Sequence, residues 1–162
     1  MECECASESE LNQAVMLASA EDGTWLRLSN CVDAWGDGSI QVCVEVGAEG
    51  LHAVMHGVTL GIYGDTLTPF FTDLAERFRG WDGKLNWRSL EPGLEIDAVF
   101  QSGGHVELSC TVGTWRLRPI SWRATASIPV DAGEQMRLFA AELNEFLRTP
   151  VIRTGRKEFD SD

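Results

Sequence analysis

No catalytic signature can be read locally in this chain. It has no G-x-S-x-G, H-E-x-x-H, P-loop or G-x-G-x-x-G motif. Those spacings set a nucleophile on its turn, pair two zinc-binding histidines or cradle a phosphate with backbone amides. No apolar run approaches the roughly 20 residues that a helix needs to cross a bilayer. The opening MECECASESE has neither a basic stretch nor an apolar one. No secretory signal is expected there, and the cytoplasm is the expected compartment. Cysteines number five, which is odd, and without an export signal a disulfide framework is not expected. Basic residues are scarce in the first half. Residues 1–65 carry 11 acids against one base, Arg27, a balance of −10. Residues 66–162 carry 14 acids against 12 bases, a balance of −2. Such a chain repels phosphate backbones, so nucleic acid is not an expected ligand. A basic protein partner is the expected one.

What is present is ordinary globular material: 44% hydrophobic and 23% charged over 162 residues. That length supports one domain with a real core. We expect an acidic, disordered or weakly structured segment over 1–20, a single α+β domain over 21–150 and a charged tail over 151–162. Residues 11–20 fit two helical turns or a first strand. Trp25 to Asn30 reads as a strand, and Asp33 to Gly38 as a hairpin loop holding Trp35. Ile40, Val42, Val44 and Val46 alternate with polar neighbours, the period of a half-buried strand. Leu51 to Val58 is another, with a looser glycine-containing stretch after it.

The stretch from Thr68 to Val112 organises the rest. Thr68 before Pro69 predicts a helix start. Phe71, Leu74, Ala75 and Phe78 give that helix an apolar face, and Gly80 a stop. Lys84 to Ser89 is a short strand. Leu94 to Phe100 and Val106 to Val112 alternate as a hairpin across Ser102-Gly103-Gly104. Ile120 to Ile128 is a further strand, which Pro129 is expected to end, with Trp122 on its buried face. Asp131 with Glu134 has capping-box spacing. Met136, Phe139, Ala140, Leu143, Phe146 and Leu147 form a helical stripe closed by Pro150. The expected fold is an antiparallel curved sheet of about six or seven strands with two helices packed on one face. The strand-then-helix order occurs twice, which is suggestive of a duplication, although the residues show no convincing internal repeat.

Phe71, Leu74, Gly80, Trp81, Gly83, Leu85, Ser89, Leu90, Glu91, Gly104, His105, Val106, Gly133, Glu134 and Gln135 carry a family likeness. Over Trp25 to Leu147 the chain resembles an actinobacterial family of unknown function, numbered 6228. More remotely, its middle and end resemble immunity proteins of the wall-associated-protein toxin type. The first resemblance implies no activity. The second implies neutralising a toxin by binding it.

The residues with chemistry divide into few groups. His52 and His56 on one strand stand about 13 Å apart at 3.3 Å per residue, too far for one metal ion. Cys3 and Cys5 form a C-x-C pair without a second pair, so no metal or other cofactor is expected. Cys31, Cys43 and Cys110 fall in apolar segments and read as core. Glu95, Asp97 and Glu107 share a solvated strand face. The tryptophans are the distinctive feature. Trp25 and Trp122 are expected in the core, Trp35 and Trp115 in loops. The function expected is non-catalytic protein binding. Its candidate surface comprises Asp33, Trp35, Asp37, Glu45 and Glu49, an aromatic anchor among acids. The rival is a small-molecule binder or enzyme with a pocket between sheet and helices, built from Trp87, His105 and Glu107. A fallback surface is the loop with Trp115, Arg116 and Arg118.

Overall fold

A computed structural model describes residues 13–89, 91, 93–114 and 122–152. Its elements run β1 (Ala14–Ala18), β2 (Trp25–Asp33), β3 (Ser39–Ala48), β4 (Leu51–Ile62), α1 (Leu67–Glu76), β5 (Lys84–Arg88), β6 (Leu94–Gln101), β7 (His105–Gly113), β8 (Arg123–Asp131), α2 (Glu134–Arg148) and β9 (Val151–Ile152). The α+β class and the antiparallel pairing agree with the alternation in the sequence. The strands form two sheets, however, where one was expected. The first has the order β1-β2-β3-β4, with β9 added parallel to β2, and the second has the order β5-β6-β7-β8. Each half is a four-stranded meander followed by a helix. Hairpins produce this naturally, because short turns join antiparallel neighbours.

The inner faces of both sheets and one face of each helix share a continuous core. Leu26, Val44, Leu74, Ile96, Leu108, Ile128 and Leu143 are each no more than 1% exposed. The helices pack on each other, and α2 also meets β1 and β8. All six residues of the predicted α2 stripe are buried. The return of β9 onto Val32 and Asp33 ties the second half to the first sheet.

Several local expectations shift. Residues 14–18 form strand β1. The N-cap of α1 is Thr66, so Pro69 occupies the third helical position, still within the turn whose N–H groups have no helical partner. The helix ends at Glu76, and Phe78 beyond it is 51% exposed where a core position was expected. Pro129 does not end β8, which runs to Asp131. β8 is an edge strand, where a missing N–H is tolerated. Gln135 does the work expected of Glu134: its Oε1 accepts from Asp131 N at 3.0 Å, and its own N donates to Asp131 Oδ2 at 3.4 Å. Trp122 is 36% exposed, outside the core. Trp25 lies on the outer face of the first sheet, over Gly47, where a Cβ would collide with the indole.

Candidate binding surface

The loop between β2 and β3 is built around Asp33. This residue is 2% exposed, and its two carboxylate oxygens accept hydrogen bonds from Gly36 N and Gly38 N, each at 2.8 Å. A buried carboxylate is costly unless such donors meet it, and charge-assisted bonds are the stronger kind. Asp33 therefore shapes the loop and offers no charge to a partner. Asp37 Oδ1 accepts from Ser39 N at 2.9 Å and remains exposed. Gly38, at φ +87°, closes the loop where a Cβ would strike the Tyr63 ring, and Tyr63 N donates to Gly38 O at 2.8 Å.

Held at the tip of this loop, Trp35 is 78% exposed. Three more large apolar side chains stand at the same end of the sheet. Ile62 is the last residue of β4 and Tyr63 follows it, and Ile152 pairs with Asp33. They are 48%, 44% and 59% exposed. Asp37 and Asp65, both exposed, stand at its rim. Ile62, Tyr63, Ile152 and Asp65 were not singled out by sequence reasoning. The signal available was the lone tyrosine in Gly61-Ile62-Tyr63-Gly64-Asp65, a turn carrying two large apolar residues.

The remaining candidates lie elsewhere. Glu45 sits mid-strand on the outer face and is occupied: Arg27 Nη1 reaches its Oε1 at 3.1 Å and His52 Nε2 its Oε2 at 2.8 Å. Glu49 is exposed in the β3–β4 turn, at the opposite end of β3 from Trp35. At 3.3 Å per residue that is about 30 Å away. The rival pocket does not assemble. Trp87 is 8% exposed, faces the core and donates from Nε1 to Thr66 Oγ1 at 3.0 Å. His105 and Glu107 point to solvent from β7. Trp115, Arg116, Arg118, Cys3 and Cys5 lie outside the described residues.

The outer face of the second sheet is a polar lattice. Asn86 Nδ2 donates to Glu95 Oε1 at 3.1 Å and to Asp97 Oδ1 at 2.6 Å. Lys84 and Arg123 stand 3.7 Å and 3.9 Å from Asp97 and Glu95. These acids are cross-linked on an open face, as expected of a solvated one. Between α1 and α2 runs an open apolar groove of about 680 Å³, with Ala75, Phe78 and Ala140 among its lining and Thr68, Glu76, Arg137 and Asn144 at its edges. No group of three or more metal-ligating side chains occurs among the described residues. None of the described helices is long and apolar enough to cross a membrane.

The residues behind the family likeness hold turns. Ser89, 4% exposed, bridges its own turn: its Oγ accepts from Leu94 N at 3.3 Å and also contacts the Glu91 carbonyl. Gly80 accommodates Phe100, and the Gly104 carbonyl accepts from Ala132 N at 2.9 Å. The model of a family of unknown function (DUF6228) matches residues 17–150. The chain belongs to that family. No curated protein matches it. A structure of MRP1/MRP2 from trypanosoma bruciei is similar at 15% identity and a TM-score of 0.45, with 86% of each chain covered.

Proposed function

We propose that this member of the family is a non-catalytic binding module. It captures a basic protein partner at the Trp35 end of the first sheet, in the manner of a toxin-neutralising immunity protein. One observation carries the reading: Trp35 is 78% exposed on a loop that a buried aspartate fixes in place. A rigid aromatic anchor loses little conformational freedom on binding, and such residues dominate interface energetics. Ile62, Tyr63 and Ile152 extend the apolar surface around it, and a cluster of this kind on a folded domain marks an interaction site. Asp37 and Asp65 at the rim, with the −10 balance of residues 1–65, favour a cationic partner and speed its encounter.

The test is co-expression in a sensitive host with a basic toxin domain encoded beside this gene. The wild-type chain restores growth, and Trp35→Ala does not. Growth arrest that the wild-type chain fails to relieve overturns the immunity reading.

A second reading, a small-molecule binder, is favoured by the groove between α1 and α2, whose size and apolar lining fit a ligand site. Ala141→Trp, at an exposed position of the lining, would fill that groove. Loss of function in Ala141→Trp with Trp35→Ala unaffected selects this reading over the first.

A further inference from the structure

Cys43 was expected in the core, and it is 7% exposed, yet it sits on the outer face of the first sheet. Its Sγ lies 3.5 Å from Nδ1 of His56, an exposed residue on β4. The ladder is broken there on both sides. On β4 the register slips between Val42 and Val44, so that His56 and Gly57 together oppose Cys43. On β2 it slips between Ser29 and Val32, next to Ser29, the direct partner of Cys43. Bulges re-aim side chains, and this one turns the imidazole onto the sulfur. His56 and Gly57, which together oppose Cys43, are both exposed, so the bulge beside the thiol faces solvent.

We propose that Cys43 is a covalent modification site that reacts with low-molecular-weight disulfides, with His56 as its base. A nucleophile within hydrogen-bonding reach of a base is the arrangement that activates a thiol. The Cys43 thiol passes its proton to His56 Nδ1. The thiolate attacks one sulfur of the small disulfide, a new S–S bond to Cys43 forms and the old S–S bond breaks. The departing thiolate takes up the proton. Cys43 is oxidised to a mixed disulfide while one sulfur of the reagent is reduced to a thiol. The other described cysteines, Cys31 and Cys110, belong to the shared core, which Cys43 does not. Burial, with a smaller contribution from Asp33 or Asp97, pushes the thiols of Cys31 and Cys110 up to about 12. Among the described residues, the other charged or titratable groups on the face around Cys43 and His56 are Arg27, Glu45 and His52. Those three are joined to one another through Glu45.

The experiment treats the folded full-length protein with 4,4′-dithiodipyridine across pH 5 to 10 and maps the labelled cysteines by mass spectrometry. Cys43 should label at least tenfold faster than Cys31 and Cys110, with a midpoint below the roughly 8.5 of a free thiol. His56→Gln, at an exposed position, should slow Cys43 about tenfold at pH 7 and move the midpoint upward. Circular dichroism confirms that this variant is folded. Labelling of Cys43 no faster than of Cys110 overturns the proposal, as does a His56→Gln profile that matches wild type.

Discussion

The two halves of this molecule share an order of elements and differ in how strictly they keep it. In the second sheet β7 pairs with β8 residue for residue, from His105 opposite Asp131 to Gly113 opposite Arg123. In the first sheet the register breaks three times, once between β2 and β3 and twice between β3 and β4. Asn30 and Tyr63, the described non-glycine residues with positive φ, both belong to the first half. So do Trp35, Ile62 and Tyr63, while the second sheet turns a lattice of paired charges and amides to solvent. Left-handed backbone, bulges and exposed aromatic surface each cost stability or solubility, and they concentrate where a fold serves something besides its own integrity. On the proposed reading, the second sheet is the scaffold and the first carries the binding surface.

The largest effect should come from the scaffold. Leu108 is fully buried on β7, so Leu108→Ala should cost about 2–5 kcal/mol in chemical denaturation. A loss under about 0.5 kcal/mol would mean that the second sheet is not the foundation of the core. Next comes the loop. Asp33→Ala removes two charge-assisted bonds and strands two N–H groups, which should cost about 1.5–3 kcal/mol. An unchanged midpoint would show that the loop holds without its aspartate, and the rigidity argued for Trp35 would fall.

A smaller effect, shared by the two sheets, depends on pH. Burial raises Cys110 from its ordinary 9.0 to about 12. Below pH 9 the thiol is protonated in both folded and unfolded chains and contributes no pH dependence. Above it the unfolded chain loses the proton while the folded one keeps it, so stability falls between pH 9 and pH 12. Melting temperatures across that window should decline, and Cys110→Ala should flatten part of the decline, Cys31 supplying more of it. Identical slopes for wild type and variant would contradict the burial.

Much of the scaffold was legible in the sequence. The alternation from Leu94 to Val112 states its register in its own spacing, because a period of two leaves one way to bury a face. The stripe from Met136 to Leu147 likewise fixed a face of α2. The division into two sheets was not legible, since hairpin spacing says which strands are neighbours and not where a meander stops and another begins. Bulges were invisible too. The polar face of β3 reads as Gln41, Cys43 and Glu45, with nothing to announce that His56 and Gly57 share one partner. At the candidate surface, Trp35 stood out through the glycines and acids around it. Asp33 and Asp37 looked equivalent by composition, yet one is buried in the loop and the other exposed. Glu45 and Glu49 counted towards charge, but strand length and pairing put them away from Trp35. Ile62 and Ile152 come from distant parts of the chain, and only the pairing of β4 and β9 with their neighbours brings them to one end.

The most direct test compares one residue from each half in the same binding assay. Trp35→Ala and Glu107→Ala are both exposed changes that should leave the denaturation midpoint within about 0.5 kcal/mol of wild type. Titration calorimetry with a basic partner of the wild-type chain then reads their affinities side by side. Trp35→Ala should weaken binding by about 2 kcal/mol or more, as loss of a central anchor does, and Glu107→Ala should leave it unchanged. Equal affinities for Trp35→Ala and wild type, or a loss confined to Glu107→Ala, would contradict the assignment of the first sheet as the binding half.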